Sequence, residues 1–368
     1  MTQASNQLET PMFSDLIKGK KVLVCAGSGG VGKTTTAAAL GLAAAKLGRR
    51  VCVVTIDPAK RLANALGISE LSNAPTLIGE FSGGELYAMM LDANATFNAL
   101  IAQYAKDEIQ AEKILANRLY RSLSSSLGGT QEYMAAEKLF ELTQDERFDF
   151  VIVDTPPSRN ALDFLDGPSR LSHFLENRLF RILLMPTRTY LKAVSIATQA
   201  LLRTISKVAG TELVADAVEF FQAFEGMEEG FRARARHVEA LLADPSTAFI
   251  LIAGPRRDSA QEATFFANRL LRSNIDVQGL IVNRVHPSFD NVKFDENTAK
   301  TIRALGPSNP LGAMLENLES FESIAEREDH FLEDLRLKIS SAPTVKIPLF
   351  VGDIHDLDGL WQVADYFL

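Results

Sequence analysis

Three observations predict an α/β fold for this chain, a mostly parallel sheet flanked by helices. In KVLVCAGSGGVGKTTT (residues 21–36) a β-branched apolar run passes through a glycine-rich turn straight into an alanine-rich helix pattern. Two further apolar runs, RRVCVVTID and FDFVIVD, each end in an aspartate, Asp57 and Asp154. Late in the chain TAFILIAGP (247–255), DSAQEATFFANRLLRS and QGLIVNRV (278–285) alternate as strand, helix and strand. With 368 residues there is material for one large domain, and the 38 basic against 46 acidic residues, net charge −8, argue against a general nucleic-acid or anionic-membrane binder. No zinc or disulfide framework is expected. The only cysteines, Cys25 and Cys52, lie inside apolar strands, and the five histidines show no ligand spacing.

Residues 1–17 are polar and without period, so they read as a flexible N-terminal tail, with neither a basic start nor an apolar leader core. A cytoplasmic protein is the expectation. The loop Gly27, Ser28, Gly29, Gly30, Val31, Gly32, Lys33, Thr34, Thr35 has the form G-x-x-x-x-G-K-T between a strand and a helix, which is a complete phosphate-binding loop. Its glycines let successive backbone N–H groups approach an anion at the start of the helix. Lys33 is expected on the β- and γ-phosphates, and Thr34 on Mg²⁺ through its hydroxyl. The helix, about Thr34 to Leu47, ends at Gly48, and the strand after it delivers Asp57 to the sheet edge where ligands bind in open α/β folds. Asp57 has two readings, a group that serves the site or an aspartate capping the turn ahead of Pro58.

A strand is expected at Leu86–Leu91, then a helical tract over 95–142 broken by SSSLGGT (124–130). Asp154 closes a fully apolar strand, the position from which a P-loop NTPase holds or orients the Mg²⁺ complex. A second helical tract, 166–244, carries Phe220, Phe221, Phe224, Met227 and Phe231, either the core of the insertion or a groove for an apolar helix. Charged helix follows over 291–340, then the short strand VKIPLF and the helical DLDGLWQVADYFL. The expected organisation is a tail and one P-loop ATPase domain, 18–368, with the two helical tracts inserted in it as a subdomain.

In this order the motifs GSGGVGKTTT, TIDPAKRLANALG, GGTQEYMAAEKLFEL, DTPPSRNALDFL, GLIVNR and IPLF resemble the ArsA-type ATPases, the family of arsenite-pump ATPases and of the eukaryotic ATPase that targets tail-anchored membrane proteins. The resemblance implies ATP and ADP as ligands with Mg²⁺. It makes Asp57 the switch I aspartate that orients the attacking water and Lys33 its partner at the phosphates. Asp154 becomes the switch II aspartate, and Asn283 and Pro348 contacts of the adenine. Three departures matter. Ser28 stands where the family usually has a lysine that reaches the nucleotide of the partner in a dimer, which resembles a bacterial ArsA-like subgroup. The zinc-binding cysteine pair and the metalloid-sensing cysteines are missing, and switch II reads Pro157-Ser158-Arg159-Asn160. The cation absent at position 28 is expected either from Lys60 or Arg159, the nearest in sequence to the switches, or from a lysine-bearing paralogue in a heterodimer. The implied function is a Mg²⁺-dependent ATPase whose nucleotide state acts on a helical subdomain that binds a client helix or a partner, as a homodimer or with a paralogue. The rivals are a catalytically weak ATP-binding partner and a positioning ATPase of the MinD and ParA type. The latter's usual anchor is a basic amphipathic C-terminal helix, whereas DLDGLWQVADYFL carries only acidic charge.

Overall fold

The computed structural model describes residues 13–57, 59–118, 120–121, 130–156, 219–289, 308–339 and 342–368, with a few single positions between. In chain order the elements are α1 (Phe13–Gly19), β1 (Val22–Gly27), α2 (Lys33–Lys46), β2 (Arg50–Thr55), α3 (Arg61–Ala65), β3 (Thr76–Phe81) and β4 (Gly84–Met90). Then follow α4 (Ala93–Tyr104), α5 (Glu108–Ala116), α6 (Thr130–Gln144), β5 (Phe150–Asp154), α7 (Glu228–Ala243), β6 (Thr247–Ala253) and α8 (Arg257–Arg272). β7 (Val277–Val285), α9 (Pro310–Lys338), β8 (Thr344–Pro348) and α10 (Leu357–Ala364) complete them.

The described strands form an eight-stranded sheet in the order β3-β4-β2-β5-β1-β6-β7-β8, parallel except for the β3–β4 pair. The central strands are apolar throughout because helices cover both faces. Val22, Val24, Val151, Val153, Phe249 and Leu251 pack on one side with α6, α7, α8 and α9. Leu23, Cys25, Phe150, Ile152, Ile250 and Ile252 pack on the other with α2, α3 and α10. Both cysteines are buried among these residues, as expected for small hydrophobes, and desolvation pushes the Cys52 thiol up to about 12.

Two expectations change. Residues 13–17 of the expected tail are helix, because α1 seats Phe13 and Ile17 in the core and sets the Phe13 ring tilted against Phe367 at 5.8 Å; apolar residues at i and i+4 suffice to dock one short helix. The strand at Leu86–Leu91 is the second arm of a hairpin. Ser82 and Gly83, both at positive φ (51° and 89°), turn the chain between β3 and β4. The half-exposed β3 carries too little alternation to be read as a strand.

Helices from the two inserted tracts share one core, in which Leu100, Ile101, Ile114 and Tyr133 meet Phe220, Phe221, Phe224, Met227 and Phe231. The Phe-rich stretch is thus packed interior, with Phe231 1% exposed. The SSSLGG of the break, residues 157–162 of switch II and most of 163–218 lie outside the described residues.

Candidate active site

β5 lies between β1 and β2, and the register places Asp154 beside Cys25 on one strand and Thr55 on the other. Its carboxylate is therefore delivered under the loop that leaves β1. Thr34 Oγ1 donates to Asp154 Oδ2 at 2.8 Å and Thr55 Oγ1 donates to the same oxygen at 2.9 Å. Asp154 Oδ1 is buried and has no hydrogen-bond partner among the described residues. An ionised carboxylate oxygen beside a threonine hydroxyl is a donor set that suits a hard divalent cation, so Thr34 and Asp154 fit Mg²⁺.

The loop itself is held from three sides. Gly27 ends β1 where a Cβ would collide with the Ile252 carbonyl of β6, and Gly32, at φ 88°, leaves room for the Asn283 carboxamide. Asn283 Nδ2 donates to the Val31 carbonyl at 2.8 Å, which ties the loop to β7. Val31 is buried, while Gly29 and Gly30 are exposed. The Ser28 hydroxyl is buried and faces Ser259 Oγ at 3.0 Å, and Ser259 Oγ accepts from the Gly254 N–H at 2.7 Å. Lys33 Nζ donates to the Ser28 carbonyl at 2.9 Å, a bond that a phosphate oxygen can replace. Burial first, and then the Arg61 charge, pull the Lys33 ammonium below its ordinary range, against the upward pull of Asp154 and Asp57. Helix α2 starts at Gly32 with no side-chain cap and no acidic residue in its first turn, so its positive end is open to an anion.

A cleft of about 280 Å³ opens over this floor, lined by Gly30, Gly32, Lys33, Thr34 and Thr35 of the loop and by Asp57, Arg61, Thr155, Arg284 and Ile354, among others. Asp57 does not cap α3, whose N-cap is Lys60. Instead it turns its own backbone, Oδ1 accepting from Ala59 N–H at 3.0 Å, while Oδ2 faces Arg61 at 3.5 Å. Pro348 pairs with Val285 at the end of β8 and is not among the cleft-lining residues. Lys60 is exposed outside the cleft, and Arg159 lies outside the described residues.

Two cations were missed in the sequence. Arg284 adopts a φ of 65° and donates to the Gly30 carbonyl at 3.3 Å, an unusual backbone for a long side chain and one often found at functional sites. Arg61 is the other; its i+4 spacing from Asp57 was the available signal.

A model of the ArsA ATPase family, described as anion-transporting ATPase, matches residues 20–304. The chain belongs to this family. Its similar relatives include an ATPase ASNA1 homolog of Cryptosporidium parvum, 26% identical over 270 residues that cover 73% of this chain and 66% of the relative. ATPase get3 of Schizosaccharomyces japonicus is 26% identical over 266 residues, 72% of this chain and 74% of the relative. ATPase GET3A of Arabidopsis thaliana is 26% identical over 261 residues, 70% and 65% respectively. The match to the Cryptosporidium relative thus spans just under two-thirds of that protein's length.

In this ArsA-family chain desolvation raises the Asp154 carboxyl to about 6, against the downward pull of the Thr34 and Thr55 hydroxyls and the Lys33 charge. The unfolded value is about 3.9. Between the two the native state holds a proton that the unfolded chain has released, so this group's contribution to stability falls as pH rises from about 4 to 6. With EDTA the melting temperature of Asp154→Asn is therefore expected to fall less than that of the unmodified protein over this window. Parallel curves for the two proteins would contradict it.

Proposed function

We propose that this chain is a Mg²⁺-dependent ATPase of the ArsA type, acting in the cytoplasm, whose nucleotide state is passed to the helical subdomain. The observation that carries the reading is the Asp154 carboxylate, with one oxygen held by Thr34 and Thr55 and the other buried without a partner, directly below the phosphate loop. Magnesium bound there would neutralise charge on the β- and γ-phosphates. The chain's own residues do the rest. The loop N–H groups and Lys33 bind and orient the triphosphate, and Asn283 holds the loop closed from the β7 side. Asp57 accepts a hydrogen bond from the attacking water and aims it at the γ-phosphorus, and Thr155, anchored to the Cys25 carbonyl at 2.7 Å, fixes the start of switch II.

Contacts of α6 support the coupling. Gln131 of α6 donates to the Ile56 carbonyl, one residue before Asp57, at 3.5 Å. A Cβ on Gly167 would press within 3.1 Å of the Tyr133 backbone, so Gly167 also sits against α6. Tyr133 belongs to the subdomain core, which supports α6 as the link between the end of the Asp57 strand and the insertion. The relatives are ATPases by name, two of them GET3 proteins, which favours a subdomain that serves a client or partner. The MinD and ParA alternative loses support, because Leu360, Val363 and Ala364 of α10 are buried in the core rather than free to meet a membrane.

Binding is the first test. Lys33→Ala removes a charge-assisted phosphate contact worth about 1.5–3 kcal/mol, so calorimetry should show ATP affinity reduced about tenfold or more. Unchanged affinity would remove the phosphate site from this loop. A second reading, an ATP-binding subunit that needs a lysine-bearing paralogue, rests on Ser28, whose hydroxyl is turned into the protein toward Ser259. Rapid turnover by the purified chain alone excludes it.

A further inference from the structure

Three cationic side chains line the cleft, and two of them are committed to the loop: Lys33 to the Ser28 carbonyl and Arg284 to the Gly30 carbonyl. Arg61 has a different partner, the Asp57 carboxylate, which the ATPase reading makes the group that aims the water. We propose that Arg61 is the catalytic cation of this chain, moving from Asp57 onto the transferring γ-phosphoryl group and supplying in cis the charge that Ser28 does not. The proposal deepens the ATPase reading and rests on it.

The geometry accounts for both halves of this role. Arg61 opens α3 four residues after Asp57, and its side chain is 57% exposed at the cleft while the Asp57 side chain is 12% exposed. An exposed guanidinium at 3.5 Å from a carboxylate is weakly held, and a polyanionic triphosphate competes for it readily. Its planar fork of donors can bridge a phosphoryl oxygen and the Asp57 carboxylate at once, which a lysine cannot do. Until the phosphate arrives, the same contact neutralises the carboxylate that would otherwise repel ATP. Ser28 is excluded by its direction, since it is buried and bonded to Ser259 on the far side of the loop. Arg284 is a weaker candidate, because it reaches the outer carbonyl of the loop from the β7 end.

In the step itself the water oxygen bonds to the γ-phosphorus as the bond from that phosphorus to the β,γ-bridging oxygen breaks. ADP leaves with the bond's electron pair, the hydroxyl stays on inorganic phosphate and the water's other proton passes to phosphate or solvent. No oxidant, reductant or further co-reactant is needed. Charge spreads over the equatorial γ-oxygens in the transition state, which is where a cation is worth most.

The experiment uses the full chain, with ATP affinity by calorimetry, single-turnover hydrolysis of Mg·ATP, and affinity for ADP with aluminium fluoride as a readout independent of turnover. Arg61→Ala is expected to keep ATP affinity within about threefold, to slow single turnover about 10²–10³-fold and to abolish the extra affinity for ADP with aluminium fluoride over ADP alone. Arg61→Lys, which preserves charge and helix propensity, should recover part of the rate and guards against a folding defect. Wild-type rate and fluoride affinity in Arg61→Ala overturn the proposal. It is also overturned by the same loss appearing in Arg284→Ala instead, or by hydrolysis that starts only on mixing with a lysine-bearing paralogue. An unmodified chain that does not bind ATP refutes the ATPase reading itself, a result distinct from any of these.

Discussion

Asp57→Asn is expected to bind Mg·ATP with near wild-type affinity and to turn it over about 10²–10⁴-fold more slowly, a loss of roughly 3–5 kcal/mol in transition-state stabilisation. Asparagine keeps the shape, and its carboxamide oxygen can still accept from the Ala59 N–H, so the turn after β2 should survive. What disappears is the negative charge that accepts strongly from a water. Asp57 is only 8% exposed and sits against the cleft, so its acceptor strength is not diluted by bulk solvent. The ion pair with Arg61 disappears too, and that loss falls on an exposed guanidinium, which limits its effect on folding. Rapid-quench hydrolysis beside calorimetric ATP binding separates the two quantities. Wild-type turnover would return Asp57 to a purely structural turn residue, and a loss of binding equal to the loss of rate would assign it to ground-state contact instead.

Features that depend on local pattern were legible in the sequence. The phosphate loop, the strands that end in Asp57 and Asp154, and the late strand carrying Asn283 each combine an apolar run with a fixed motif, and all four stand at the same sheet edge in the structure. The expectation that Thr34 and Asp154 share one site followed from chemistry that needs those residue types there, and their side chains do meet. The reading stopped where partners are remote in sequence or where backbone angle decides. Ser28 finds Ser259, 231 positions away, and no pattern around either residue announces the pair. Arg284 enters the cleft because its φ is 65°, whereas regular strand geometry would send it elsewhere. Pro348 was assigned by resemblance alone, and its side of β8 is outside the lining of the cleft. Helix α1 and strand β3 were missed for lack of length and of alternation respectively, since α1 offers only two apolar residues to the core and β3 has no fully buried residue. Helical spacing left the Phe-rich stretch undecided, because an apolar face has the same period whether it meets the protein's own helices or a foreign one.

That ambiguity leads to the last expected result. Phe231→Ala should destabilise the protein by about 3–5 kcal/mol, seen as a lower denaturant midpoint at unchanged slope. Phe231 is 1% exposed and its ring lies 5.1 Å from Phe224, 5.2 Å from Tyr104 and 6.4 Å from Phe97, so truncation removes three aromatic neighbours at once. The cavity opens between α4 and α7, which belong to the two inserted tracts and meet in this cluster. Phe231→Leu, which preserves more of the volume, should cost under about 1.5 kcal/mol. The sheet is a separate cluster with its own buried residues, so ATP affinity measured below the new midpoint should stay near wild type. Because Tyr133 is in the same aromatic core and on α6, whose Gln131 reaches the Ile56 carbonyl beside Asp57, the variant is also expected to loosen the proposed link between nucleotide and subdomain. Hydrogen exchange over residues 93–116 with and without ATP reads that link directly. Wild-type stability in Phe231→Ala, combined with loss of binding to an apolar peptide, would overturn the interior assignment and make this stretch a groove.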